Sequence, residues 1–122
     1  MVIADTSVWI PFFTRPGSRE KRALDALIDT DELALVGVVL AELLQGCRSR
    51  EERDDLQDVL LALPYLEVTQ SIWVAAGELS CALLRRGTTL PMPDILIAAL
   101  AREYDCAVYS LDTHFRKIPE LV

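Results

Sequence analysis

Nitrogen side chains that readily exchange a proton are scarce in this chain, which contains one histidine, His114, and two lysines, Lys21 and Lys117. Acid–base chemistry that passes a proton between a pair of such side chains is therefore poorly supplied. Cysteine is also sparse. Cys47, Cys81 and Cys106 are odd in number, widely separated and in no Cys-x-x-Cys or Cys/His arrangement. They are expected as reduced, mostly buried thiols, which leaves out disulfides, a zinc site and redox chemistry. No hydrophobic run approaches the length that crosses a bilayer, and Asp5 interrupts the apolar start with no basic segment before it. A cytoplasmic protein is expected, with no membrane partner. Positive charge is in deficit, with 12 Lys and Arg against 19 Asp and Glu and a net charge of −7. That balance argues against holding nucleic acid on a broad basic surface, but it does not exclude a nuclease, because clustered acids that bind cations reverse the field locally. Arg15, Arg19, Arg48, Arg50 and Arg116 are available to touch phosphates, although each one taken singly fits a solvated surface better.

Apolar material is plentiful. The 122 residues are 52% hydrophobic, enough for one domain, residues 1–122, around one core. Within it, Asp5, Glu42, Asp94 and Asp112 are each the only charged residue of an apolar neighbourhood, in MVIADTSVWIPFF, LALVGVVLAELLQ, LPMPDILIAALA and AVYSLDTHF. An ionised carboxylate taken from water without a partner costs several kcal/mol, and no basic residue lies nearby in sequence to compensate. A shared divalent metal is the simplest partner for all of them. Glu67 and Glu78 also stand fairly alone, but Glu67 alternates with Leu66 and Val68 as the outer side of a strand would. Glu78 lies off the helical stripe of Ile72, Ala76, Leu79 and Leu83, so both are expected in solvent.

Periodicity and punctuation predict strands over 2–4, 33–36, 65–68 and 107–110, with helical segments between them. A first helix should be kept short by Pro11, and a second runs from Ser18 to about Asp29. Val38 to Gln45 is apolar nearly all round, which predicts a buried helix stopped by Gly46. Ser49-Arg50-Glu51-Glu52 has the form of a capping box ahead of Leu56, Val59, Leu60 and Leu63, with Pro64 ending that element. A long helix from about Ser71 to Arg86 should stop at Gly87, and Pro93 suits the first turn of a helix from Asp94 to about Tyr104. A short helix around Phe115 and a tail to Val122 complete the chain. Connections too long for hairpins imply a parallel sheet in a three-layer α/β/α sandwich with right-handed crossovers. Sites in such sheets gather at the carboxyl ends of strands. Asp5 and Asp112 fall there, Asp94 falls in a helical first turn, and Glu42 would reach the same edge from the third helix.

DTSVWI after the first strand, VVLAELLQG in a hydrophobic helix, PDILIAALA opening a late helix and YSLDTHF after the last strand together resemble the PIN domain. The resemblance spans essentially the whole chain, in the family's order, and extends to the VapC-type toxins of bacterial toxin–antitoxin pairs. It implies the same sandwich and a metal-dependent endoribonuclease whose acids are Asp5, Glu42, Asp94 and Asp112. Thr6 or Ser7 and Ser110 would lend hydroxyls, and a cognate antitoxin would be the protein partner. Pro93 directly before Asp94, and Pro11 in the first helix, depart from the common pattern without removing a carboxylate.

A carboxylate set without Cys suits hard cations, so Mg²⁺ or Mn²⁺ is expected rather than zinc. Asp5 and Asp94 are expected as main ligands, with Asp112 and Glu42 completing one or two ion sites directly or through water. The expected reaction is hydrolysis of an RNA phosphodiester by in-line attack of water, leaving a 5′-phosphate and a 3′-hydroxyl. Attack by the RNA 2′-hydroxyl lacks its acid–base pair. His114 is read as a helix-cap or surface residue. Asp112 has a competing role as a helix cap, whereas Glu42, mid-helix, does not. Trp9, Phe12 and Phe13 are read as core or interface rather than as a base-stacking platform, and the apolar helices suggest a homodimer. Two other classes compete. A phosphoacceptor receiver domain would need an acid pair after the first strand, an Asp after the third and a Lys after the last, where this chain has a single Asp5, Val68-Thr69-Gln70 and Leu111-Asp112. A non-catalytic PIN-like interaction module would not need all four acids.

Overall fold

A computed structural model describes residues 1–118 of the chain. The elements follow in the order β1 Val2–Ala4, α1 Thr6–Thr14, α2 Arg19–Asp29, β2 Leu33–Val36, α3 Gly37–Gln45, α4 Arg50–Leu60, β3 Tyr65–Leu66, α5 Gln70–Arg85, α6 Met92–Tyr104, β4 Ala107–Tyr109 and a closing 3-10 turn, Thr113–Lys117. The predicted tail beyond residue 118 lies outside the described residues. The strands form one sheet in the order β3-β2-β1-β4, all parallel, with Val2 paired to Leu33 and Ala107, and Leu35 to Tyr65. Helix α1 packs on α2 and α3, α3 on α4, and α5 on α6. The right-handed connection that parallel strands favour puts the first four helices on one face of this strand order and the last two on the other. This is the α/β/α sandwich expected from the sequence. The chain order reverses beside β1, whose neighbours are β2 and β4, so a crevice opens between the carboxyl ends of β1 and β4.

Local signals set most of the boundaries. Side chains of Asp5, Ser18, Ser49 and Thr69 cap α1, α2, α4 and α5 by accepting backbone N–H bonds. Gly87, at φ +78, lets the chain leave α5 in the left-handed region that a side chain would disfavour. At Ser49 the box is altered. Ser49 Oγ accepts from the Glu52 N–H at 3.1 Å, but Glu52 Oε2 accepts from the Arg48 N–H, one residue earlier than in the standard motif. Helix α1 continues three residues past Pro11, so the proline does not end it. Pro11 stands beyond the first turn, so α1 gives up an i→i−4 hydrogen bond there and continues around a buried ring. The third strand is only Tyr65–Leu66.

The buried helix is α6 rather than α3. Ile95 to Ala101 are all buried between the sheet, α5 and the 3-10 turn. In α3 only Val39 is fully buried, while Ala41 and Glu42 are exposed. Composition could not separate the two helices, because the open side of α3 is apolar as well. The thiols are likewise more varied than expected, with Cys106 buried, Cys47 half-buried and Cys81 exposed. Trp9 is fully buried, its ring stacked on Phe13 at 5.7 Å and meeting Phe12 edge-on at 5.1 Å. Glu67 and Glu78 are exposed, and no helix among the described residues is long and apolar enough to cross a membrane.

The different burial of the two helices has a measurable consequence. Leu100→Ala in α6 should destabilise the fold by about 2–5 kcal/mol, the usual range for emptying a closed core site. Leu44→Ala on half-buried α3 should cost less than half as much. Urea unfolding of both variants checks this, and equal losses would contradict the assignment of α6 as the core helix.

Candidate active site

Asp5 follows β1 directly and is 7% exposed, the one buried charged residue among those described. Its two oxygens have different partners. Oδ1 accepts from the Ser7 N–H at 2.6 Å and so starts α1. Oδ2 accepts from Ser7 Oγ at 3.2 Å and from Ser110 Oγ. The same two hydroxyls accept from the loop after β4, Ser7 Oγ from the Leu111 N–H at 3.0 Å and Ser110 Oγ from the Asp112 N–H at 2.9 Å. These donors satisfy both oxygens of the buried carboxylate without an ion pair. They also tie the end of β1 to the end of β4 across the crevice.

Asp112 repeats the division of labour. Its Oδ1 caps the 3-10 turn by accepting from the His114 N–H at 3.0 Å, so the capping role foreseen for it is real. Its Oδ2 lies 3.3 Å from His114 Nδ1. Asp94 enters from the first turn of α6, where the positive end of the helix favours an anion, and its Oδ2 lies 2.6 Å from the same Nδ1. The Asp94 side chain is 16% exposed. Burial pushes its carboxyl above the usual range, opposed by the hydrogen bond and charge of His114 and reinforced by the charges of Asp112 and Asp5.

The reading of His114 as a surface or cap residue is corrected by this geometry. The ligand atoms of Asp94, Asp112 and His114 lie within 4.8 Å of one another, a group able to surround one cation. Sequence carried a weak signal for it: Asp112-Thr113-His114 puts the imidazole two residues beyond a site acid, and a tight turn there folds it back over that acid. The donor set fits a divalent ion, since it offers carboxylate oxygens and one imidazole nitrogen at a strand end where like charges otherwise repel.

Glu42 stands differently. It is exposed on α3, outside the cluster, and its Oε1 accepts from Thr6 Oγ1 at 2.8 Å. The desolvation argument therefore does not apply to Glu42, because an exposed carboxylate needs no special partner. It is joined to the rest through Thr6, the neighbour of Asp5. Arg15, which ends α1, and Arg116, on the 3-10 turn, are both exposed. Beside Glu42 a groove of about 550 Å³ runs between α1, α3 and α4, lined by Ile10, Phe13, Leu43, Leu56 and Val59, with Glu42, Glu52 and Asp55 also on its walls.

A family model described as the PIN domain matches residues 2–121. The protein named Ribonuclease VapC21 from Mycobacterium tuberculosis is 31% identical over 101 residues, which cover 80% of this chain and 73% of that one. Among solved structures, VapBC2 from Rickettsia felis bound to a DNA fragment from its promoter superposes with a TM-score of 0.84 at 23% identity, covering 100% of this chain and 96% of the other. A toxin–antitoxin complex from Klebsiella pneumoniae has a TM-score of 0.75 at 25% identity, with coverage of 100% and 96%.

The raised pKa of Asp94 sets a sign. A carboxyl that holds its proton more tightly in the native state than in the unfolded chain costs stability as pH rises from its unfolded value through its folded one. Without metal, Asp94→Asn should therefore be at least as heat-stable as the wild type at neutral pH, with its relative advantage growing between about pH 4 and about pH 7. A divalent ion should reverse the order, stabilising the wild type by about 2.7 kcal/mol at 100 times its Kd and the variant by less. Thermal melts at both pH values, with and without Mg²⁺ or Mn²⁺, read both effects, and an equal metal-induced shift in the two proteins would remove Asp94 from the ligands.

Proposed function

The chain belongs to the PIN-domain family, and from that membership and its site we propose that it is a metal-dependent endoribonuclease acting as the toxin of a toxin–antitoxin pair. The observation that carries the reading is the gathering of Asp5, Asp94 and Asp112 at the crevice between β1 and β4. Family membership narrows the chemistry to nucleic acid, and the relative named as a ribonuclease narrows it to RNA. Asp5 and Asp94 are the main ligands of Mg²⁺ or Mn²⁺, with Asp112 and Glu42 completing the site directly or through water. Such an ion supplies a water-derived nucleophile near neutral pH and neutralises charge developing on the phosphate.

The chain's own residues do the remaining work. Ser7 and Ser110 hold Asp5 fixed in orientation by donating to its Oδ2, so that little reorganisation is needed as charge shifts in the crevice. Thr6 orients Glu42 in the same way. Arg15 and Arg116 are proposed to contact phosphates flanking the cut, by charge rather than by reading bases. With one histidine and two lysines, activation of the RNA 2′-hydroxyl has no acid–base pair to use. Products with a 5′-phosphate and a 3′-hydroxyl follow, and the cytoplasm, where RNA is plentiful, is the proposed place of action.

The antitoxin reading is supported by the groove beside Glu42. Ile10, Phe13 and Val59 are 53%, 40% and 41% exposed, an apolar surface that a partner segment would cover. Acidic walls would accept a basic side chain from that segment, close to the site it silences. A second copy of the chain is proposed to pack on the exposed apolar residues of α5, Trp73, Val74 and Leu84.

Purified protein should cut single-stranded or loop RNA with Mg²⁺ or Mn²⁺ and stop in EDTA, and Asp5→Asn should lose at least about a hundredfold in rate. A small protein encoded alongside it should co-purify and suppress the cleavage. Cleavage that persists in EDTA would contradict the metal mechanism, and no bound small protein from the native operon would contradict the toxin assignment.

A further inference from the structure

His114 is the chain's only imidazole, and the proposed reaction gives it no role. The structure nevertheless places it against two of the site's acids, Asp94 and Asp112. Its backbone N–H is held by Asp112 Oδ1 at 3.0 Å, which anchors the residue at the start of the 3-10 turn. Its Nδ1 then lies between two carboxylates that arrive from different elements, 2.6 Å from Asp94 Oδ2 and 3.3 Å from Asp112 Oδ2. The ring is 35% exposed, so no packing requirement explains its position. With the three ligand atoms all within 4.8 Å of one another, any cation shared by Asp94 and Asp112 lies within reach of this nitrogen.

We propose that Nδ1 of His114 is itself a ligand of the divalent ion, which makes the site a mixed nitrogen–oxygen one that favours first-row transition ions over Mg²⁺. The inference rests on the reading of the acid cluster as a metal site and goes beyond it. Mg²⁺ prefers oxygen donors and gives up its water reluctantly. For transition ions an imidazole adds affinity in rising order from Mn²⁺ to Co²⁺. The contribution of His114 should therefore depend on which ion is bound. A histidine that only positions Asp94 and Asp112 would contribute equally to all of them.

The experiment uses the whole protein with Mn²⁺, Co²⁺ and Mg²⁺ salts as probes and reads binding rather than turnover. Pulsed electron paramagnetic resonance on the Mn²⁺-loaded wild type should show modulation from a directly coordinated ¹⁴N, absent in His114→Ala and in His114→Gln, the second variant retaining a polar side chain in the turn. By calorimetry each substitution should lower Mn²⁺ affinity about tenfold, lower Co²⁺ affinity by more and leave Mg²⁺ nearly unchanged. Saturable Mn²⁺ binding without ¹⁴N modulation, or an equal loss for all three ions, overturns the ligand role of His114 and leaves the metal site standing. No saturable binding of any ion overturns the metal site and this inference together.

Discussion

The Asp5 side chain, almost closed off from water at the end of the central strand, is the constraint on which the rest of the site depends. It persists because Ser7 and Ser110 surround it with donors. Those two serines also fasten the loop after β4 through the Leu111 and Asp112 N–H groups. Satisfying one carboxylate thus positions the next. Asp112 is placed by the network, His114 by Asp112, and the imidazole then meets Asp94 at the start of α6. Burial raises the pKa of Asp94, and the neighbouring charges of Asp112 and Asp5 add to it, a cost that the network does not remove. A divalent cation would offset the charges of Asp5, Asp94 and Asp112 together, so the proposed chemistry answers the part of that cost that comes from like charge.

Much of this was legible in the sequence because it was written in short-range signals. Capping residues, glycine and apolar periodicity place most element boundaries within a residue or two, but proline does not, since α1 runs past Pro11 and α4 ends at Leu60, short of Pro64. The absence of hairpin-length connections implies the parallel sheet. Asp5, Asp94 and Asp112 could be picked out because each is a charge in apolar surroundings, and burying an unpartnered charge demands a reason. Other features depended on what packs against what. VVLAELLQ and ILIAALA read alike, yet only the second is enclosed. Glu42 stands among apolar residues in sequence, yet it is exposed and undergoes no desolvation. The position of His114 depends on a tight turn that brings residue 114 back to residue 94, a contact no local pattern encodes.

The exposed face of α3 changes how the molecule is read as a whole. A half-open apolar helix destabilises nothing if another chain covers it, and the groove it borders passes from Phe13 and Val59 to Glu42. Through the Thr6–Glu42 hydrogen bond this groove touches the residue next to Asp5. A partner seated there could disturb the catalytic edge without entering the crevice itself. In this reading, inhibition and catalysis share a boundary of two side chains, one on α1 and one on α3.

The central claim is that the crevice between β1 and β4 holds a divalent cation on Asp5, Asp94 and Asp112. Crystals soaked in Mn²⁺ and measured at a wavelength where manganese scatters anomalously would test it most directly. An anomalous peak bounded by the three carboxylates, with Asp94 drawn from its direct hydrogen bond to His114, is the result predicted. A crevice without such a peak, with the Asp94–His114 contact intact while manganese binds elsewhere on the protein, would contradict the account.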